Sequence, residues 1–417
     1  MIMKTYLVGG AVRDQLLNIK IKDKDWVVVG STPQAMLDLG YKQVGADFPV
    51  FLHPKSQEEY ALARTERKSG KGYQGFTVDF HQDVTLDEDL VRRDLTINAM
   101  AQDKDGTIFD PFNGQQDLKD KKLRHVSPAF DEDPLRVLRV ARFAARFAHL
   151  GFTIADETLT LMQNISESGE LEHLTPERVW VETQRALTEK SPWVFFETLK
   201  NCNALKVNFK ELDDLFGVPQ PEIHHPEIDT GLHSILCLQQ ASELSHDTEV
   251  RFAALMHDLG KAKTEKENWP KHIAHEKLGL APIKALCERL KVPNKHKELA
   301  LKTCEFHTNV HQAFSLKAST VLKLFKNTDA LRKPDRFDQM LLACKADSRG
   351  RFGFEEVPYL QKEYLQALLH SAANIDSKAI SSSGLAGPEI GKAIEAAKLD
   401  AIQQTMPSAK EQYSNVE

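Results

Sequence analysis

Two carboxylates, Asp23 and Asp25, open the run DKDWVVVG just downstream of a Gly-Gly turn in YLVGGAVRD, and this pairing restricts the fold of the chain more than any other feature. Residues 26–29 are aromatic and β-branched, the composition of a strand. Residues two apart on a strand point to one face, so a strand beginning at Asp23 would project both carboxylates together. Such a pair can hold Mg²⁺, which prefers oxygen ligands and commonly binds phosphates at the same time. Gly9 and Gly10 let a backbone approach a triphosphate closely. A D-x-D pair alone is as readily a solvated surface pair, and Gly-Gly alone a tight turn. At this spacing the two read as a nucleotidyl-transfer site.

The first ~125 residues alternate strand-like runs (TYLVGG, DWVVVG, YALART) with turn residues, which predicts an α/β domain. Residues 64–80, with three glycines and four basic residues, read as a mobile loop or a loop-capped hairpin. From Asp133 the periodicity becomes helical. Asp133 suits an N-cap, Pro134 the first helical position, and Leu135, Leu138, Ala141 and Ala145 form an apolar stripe. Further helices are expected at about 155–168, 176–190 and 193–203, with a proline-rich linker at about 217–231. A histidine-rich helical stretch and an Ala/Leu-rich tail follow, the tail ending in SAKEQYSNVE, expected to fray. The expected fold class is α+β: an α/β head followed by an all-α remainder.

A chain of 417 residues is long enough for two or three domains. No run of ~18 apolar residues is present, which predicts no membrane span, and MIMKTYLVGG is too short in apolar residues for a signal peptide. The five scattered cysteines lack a C-x-x-C pair and read as reduced cytoplasmic thiols. A net charge of −6 argues against non-specific nucleic-acid binding, but residues 119–146 carry eight Lys/Arg against four Asp/Glu, a local excess that could meet RNA phosphates.

Arg13, a few residues past the glycines, could pair bidentately with phosphate, with Asp14 orienting it. In RRDLTINA, Asp94 can accept from a ribose hydroxyl and Arg93 can donate to sugar or phosphate; the competing reading is a helix start capped by a buried Asn98. Arg136, Arg139, Arg142 and Arg146 are spaced 3, 3 and 4 apart and share a broad helix face opposite the apolar stripe. Cytosine and adenine each present an amino donor beside a ring-nitrogen acceptor. A carboxylate at Asp133 matches the first and a guanidinium at Arg136 the second. Uracil and guanine present the reverse pattern and would leave buried groups unpaired. One pair could thus accept CTP and ATP without a nucleic-acid template, although a capping role for Asp133 would compete for the same oxygens.

The histidines form a second constellation. His257-Asp258 follows an apolar run, whereas His246-Asp247 lies in polar surroundings and reads as surface. His233 precedes the pair, and His272, His275, His307, His311 and Asp347 follow. Imidazoles with carboxylates suit transition metals such as Ni, Mn or Co better than Mg alone. His272, His275 and His307 are candidates to extend the site.

With RRDLTIN and EDPLR placed in order after the D-x-D run, the sequence resembles the class II tRNA nucleotidyltransferases, or CCA-adding enzymes. It is most similar to the multifunctional CCA proteins of gamma-proteobacterial type, which carry an HD-type phosphohydrolase domain. The resemblance runs from about Tyr6 to at least Gly353. It implies a polymerase-β-like head at 1–125, a helical neck and body at 126–220, an HD domain at 228–353 and a helical tail at 354–417. It implies Mg²⁺ on Asp23 and Asp25, nucleotide binding by Gly10, Arg13, Arg93, Asp94, Asp133, Arg136, Arg139 and Arg142, and a specificity-switching loop within 64–80. His233, His257, Asp258 and Asp347 match the HD order and imply a site for Ni²⁺ or another transition metal that hydrolyses 2′,3′-cyclic phosphates and phosphate monoesters. The implied partners are tRNA, ATP and CTP, with no membrane, in a cytoplasmic monomer or homodimer. The rivals are a bacterial poly(A) polymerase, an enzyme adding only CC or only A, a phosphohydrolase whose head merely binds RNA, and a non-enzymatic RNA-binding module. The histidine constellation and acidic balance argue against the first.

Overall fold

The computed structural model describes residues 3–44, 50–68, 76–79, 82–382 and 384–414, with backbone alone at 66–68 and 76–79. It forms two compact units, Met1–Asn208 and Phe209–Glu417.

The first unit is built on a mixed sheet. Its strands are β1 Lys4–Val8, β2 Asp25–Val29, β3 Lys42–Val44, β4 Val50–Leu52, β5 Glu59–Leu62, and, after the pair β6 Thr65–Lys68 and β7 Phe76–Asp79, β8 Ala101–Gln102 and β9 Ile108–Phe109. Among the described residues the sheet order is β3-β4-β5-β2-β1-β8-β9. The central strands are covered on both faces, so alternate residues enter different cores. Val27 packs with Tyr6, Val8, Ala63 and Leu90. Its neighbour Val28 packs with Met36, Phe51, Tyr60 and Leu62.

β6 and β7 pair antiparallel, which matches the hairpin of the two alternatives expected at 64–80; residues 69–75 lie outside the described residues. The helices expected near 155, 176 and 193 run Asp156–Glu167, Pro176–Thr188 and Trp193–Asn201. The arginine helix spans Leu135–Phe147. Pro134 already has helical dihedrals, Asp133 is extended, and Asp133 Oδ1 accepts from the Leu135 amide at 3.1 Å, the capping arrangement expected from the sequence.

The second unit is helical among its described residues. Helices Thr230–Leu244, Thr248–Met256, Asn294–His311 and Pro334–Arg349 pack together, and Gln361–Ala373 packs on the long final helix Pro388–Ser414. Two expectations are corrected. The proline-rich stretch at 217–231 is no open linker: Gln220 N–H donates to Ile228 O, Gly217 N–H to Asp229 Oδ2, and Glu227 is buried. Its side chains are recruited by the histidine cluster, which overrides the local proline signal. The tail stays helical to Ser414 because Ile402 and Ala409 are buried; residues 415–417 lie outside the described residues.

Candidate functional sites

A cleft of about 690 Å³ opens in the first unit, lined by Gly9, Gly10, Arg13, Asp25, Arg93, Asp94, Asp133, Arg136, Arg139 and Arg142, among others. Nine of the ten head residues expected from the sequence are therefore brought together. The tenth, Asp23, is exposed in irregular chain before β2 and does not line the cleft. The strand begins at Asp25, not Asp23. Val8, the last residue of β1, is the register partner of Asp25, and the chain then turns away at Gly9, whose N–H donates to Met100 O at 3.1 Å. Among the described residues no partner strand extends to Asp23, so strand alternation does not set its direction.

β5 supplies a carboxylate that sequence reasoning missed. Glu59 lies in parallel register with Asp25 and lines the same cleft. It sits immediately before YALART, and no local signal indicated that this run would lie beside β2.

Gly9 has φ +66°, and a Cβ there would stand 2.9 Å from Arg93 Nη1. Positive φ and close approach both demand glycine. Arg93 and Arg92 are held by the buried carboxylate of Asp89 at 3.1 and 2.8 Å.

Each arginine of the helix is anchored. Arg139 donates from Nε and Nη2 to Asp94 Oδ2 at 2.8 and 2.6 Å. Arg142 Nε donates to Glu182 Oε2 at 2.6 Å, both side chains buried. Arg146 Nη2 donates to Asp14 Oδ2 at 2.9 Å. Arg136 Nη2 donates to Arg92 O at 2.6 Å and its Nη1 to Ala129 O. Arg13 is buried, donates from Nε to Asp14 Oδ1 at 2.8 Å and from Nη1 to Asn98 Oδ1, and lies over the rings of Phe143 and Phe147 at 5.3 and 5.0 Å. Asp14 thus orients Arg13, as the sequence suggested. Asp94 Oδ1 accepts from Asn98 Nδ2 and the Leu95 amide, so Asn98 is buried as expected but caps no helix; it ends the short helix Thr96–Asn98. Burial disfavours charge on Asp94, but Arg139 and the Asn98 hydrogen bond outweigh it and hold its carboxyl well below the usual range. Asp133 Oδ2 accepts from Arg178 Nη2 at 2.9 Å. Arg178 and Glu182 lie one helical turn apart on Pro176–Thr188, a face that sequence reasoning did not connect to the arginine helix.

The second unit gathers the histidines. His233, on Thr230–Leu244, places Nε2 3.1 Å from Asp347 Oδ1, on Pro334–Arg349. His257 ends the intervening helix and places Nε2 3.2 Å from Asp258 Oδ2 and 3.4 Å from Asp347 Oδ2. All four residues are buried. Two buried polar atoms there, His257 Nε2 and Asp258 Oδ1, make no hydrogen bond. Such orphaned atoms are rare, and an N₂O₂ donor set of this kind fits a transition cation. Glu227 Oε1 backs His233 Nδ1 at 2.9 Å, and Lys261 Nζ contacts Asp258 Oδ2 at 2.7 Å. His275 and His307 reach Asp258; His272 does not, since its ring nitrogens bond Thr264 Oγ1 and Pro219 O. Burial and the neighbouring His257 push His307 down to about 3. His246 is exposed, as expected.

The poly A polymerase head domain matches residues 5–124, the probable RNA and SrmB-binding site of polymerase A matches 151–216, and the HD domain matches 230–337. The multifunctional CCA protein of Hahella chejuensis is 58% identical over 98% of this chain and 98% of its own length. That of Shewanella frigidimarina is 60% identical over 96% and 97%. Among solved structures, a CCA-adding enzyme complexed with CTP matches with a TM-score of 0.65 at 22% identity, covering 99% of this chain and 92% of its own. The Thermotoga maritima CCA-adding enzyme complexed with tRNA matches with a TM-score of 0.63 at 22% identity over 97% and 91%. With a nucleotidyltransferase head, an HD domain and such identity over nearly its whole length, the chain belongs to the family of multifunctional CCA proteins.

Proposed function

We propose that the first unit adds and repairs the 3′-terminal CCA of tRNA from CTP and ATP, and that the second hydrolyses phosphate esters, 2′,3′-cyclic phosphates among them. One observation carries the first reading: Asp25, Arg13, Arg139, Arg142, Asp133 and Arg136 line one cleft. The finer division is a head at 1–125, a neck and body at 126–220, an HD domain at 228–353 and a tail at 354–417.

In the transfer, a tRNA 3′-hydroxyl oxygen bonds to the α-phosphorus, the bond to pyrophosphate breaks and the hydroxyl proton is released. Asp25 and, from just outside the cleft, Asp23 would hold Mg²⁺, which would neutralise charge on the attacking and leaving oxygens. Glu59 is placed to assist them. Gly10 leaves room for the triphosphate, and Arg13, Arg139 and Arg142 bind it. Asp94 positions Arg139 and offers a ribose contact together with Arg93. Asp133 and Arg136 select the base edge. The carboxylate partners keep this many guanidiniums compatible in one cleft and fix their directions before substrate arrives.

In the second unit His233, His257, Asp258 and Asp347 would hold a transition cation, Ni²⁺ among those the donor set suits. The cation would polarise a phosphate oxygen, while Glu227 fixes the His233 ring.

Incorporation of each labelled nucleoside triphosphate into a tRNA transcript lacking CCA tests the first reading. Two C then one A is the expected product. Long A tracts would replace it with the poly(A) polymerase reading.

A further inference from the structure

Two helices give the cleft of the first unit a direction. Along the arginine helix, Arg136 follows Asp133 at the base-reading end, Arg139 meets Asp94 a turn later, and Arg142 and Arg146 come after. Pro176–Thr188 runs beside it in the same sense: Arg178 pairs with Asp133, and Glu182, one turn on, pairs with Arg142. Arg185 comes a further turn along and lines the same cleft. This far end also holds Arg13, which lies over the rings of Phe143 and Phe147 and shares Asp14 with Arg146. Glu189, just past Arg185, shows which cations this end faces: burial raises its carboxyl, and Arg146, Arg142, Lys22 and Arg13 act against that rise. A nucleotide with its base at Asp133 and its ribose at Asp94 therefore directs its phosphates toward Arg13, Arg142 and Arg185.

Arg185 is held more loosely than its neighbours. Arg13, Arg139, Arg142, Arg146 and Arg178 each donate to a carboxylate at 2.6 to 2.9 Å. Arg185 Nη1 stands 3.8 Å from Glu182 Oε1, beyond hydrogen-bonding distance, and its side chain is 61% exposed. Glu182 gives its other oxygen, Oε2, to Arg142. One carboxylate thus keeps a loose guanidinium beside a fixed one.

We propose that Arg185 binds the terminal phosphate of the incoming nucleoside triphosphate, and hence the pyrophosphate that leaves. Its planar fork of N–H donors suits a phosphate group. Its charge opposes the negative charge that builds on pyrophosphate as the bond to the α-phosphorus breaks. Arg185 makes and breaks no bond itself. The proposal rests on the nucleotidyl-transfer reading of the first unit.

The test is calorimetric titration of CTP, CDP and CMP, with Mg²⁺, into the full chain and into Arg185→Ala and Arg185→Lys. Arg185→Ala should weaken CTP binding about tenfold and leave CDP and CMP binding unchanged, and Arg185→Lys should recover part of the loss. Unchanged CMP binding also reports an intact cleft. An equal loss for all three nucleotides would overturn the proposal, because Arg185 would then act only by holding Glu182 and Arg142. Unchanged CTP binding would overturn it too; if tRNA binding were then weaker and less salt-dependent, the phosphate would belong to the tRNA backbone. Failure of the parent chain to bind CTP would instead overturn the nucleotidyl-transfer reading.

Discussion

Arg178 donates to Oδ2 of Asp133 across 2.9 Å while the Leu135 amide donates to Oδ1 of the same carboxylate. The residue proposed to read the base is thereby clamped from two helices of one unit. Arg178→Ala should free the carboxylate to rotate. Discrimination of CTP over UTP should fall about tenfold, the equivalent of ~1.4 kcal/mol, with a smaller loss in total incorporation. Single-turnover kinetics with each nucleotide would check it. Unchanged discrimination would mean that Asp133 is fixed without Arg178.

Gly9→Ala should damage the cleft twice. A Cβ meets Arg93 Nη1 at 2.9 Å, and φ +66° disfavours any L side chain. The backbone term alone costs roughly 1–2 kcal/mol. Denaturant unfolding should show that loss. Incorporation should fall further than with Gly10→Ala, whose Cβ approaches Arg13 Nη2 less closely, at 3.3 Å, and which carries no positive φ.

Arg142→Ala takes from buried Glu182 its close, buried ion partner and leaves it only the exposed Arg185 at 3.8 Å. Breaking such a pair costs about 3–5 kcal/mol. Adding Glu182→Leu should recover much of the stability but none of the nucleotide affinity. Unfolding curves of the two variants, read beside CTP binding, separate the two roles. Equal stability of the single and double variants would refute the pairing.

Asp94 makes the first unit acid-sensitive. Its folded carboxyl titrates well below its unfolded value because Arg139 and Asn98 stabilise the charged form. The resulting stabilisation is complete above the unfolded value of ~4 and is lost as pH falls below it toward the folded value. Asp94→Asn should be less stable at neutral pH and show a flatter decline between about pH 4.5 and 3. Urea midpoints across that range would show the crossover; parallel curves would argue against it.

Removal of metal should separate the two units. After chelation, Mg²⁺ alone should restore nucleotide incorporation, whereas release of a nucleotide from its 2′,3′-cyclic phosphate should require Ni²⁺, Mn²⁺ or Co²⁺. His257→Ala should abolish the second activity and leave the first. Hydrolysis supported equally by Mg²⁺ would contradict the donor-set argument.

The strands and the arginine helix were legible because each rests on local signals: β-branched runs, 3-4 spacing, an N-cap before proline; the HD-ordered residues were reached only through the family resemblance. What escaped the sequence is pairwise and long-range. Nothing local to LTPERVWVE indicates that Arg178 will meet Asp133 or Glu182 will meet Arg142. The start of β2 depended on where β1 stops. Glu227 looked like part of a linker because proline composition says nothing of a buried histidine it will support.

The hydrogen-bonded series Arg146–Asp14–Arg13–Asn98–Asp94–Arg139 joins helix Gly10–Leu16 to both ends of the motif RRDLTINA and back to the arginine helix. Charges alternate along it around one neutral amide, so altering one member changes what its neighbours require. Substitutions within the series should therefore show strong epistasis, with the effect of a second change depending on the first. Homologous clefts would diverge here by compensated exchanges in sets, and an attempt to retune nucleotide affinity one residue at a time would meet the whole series at once.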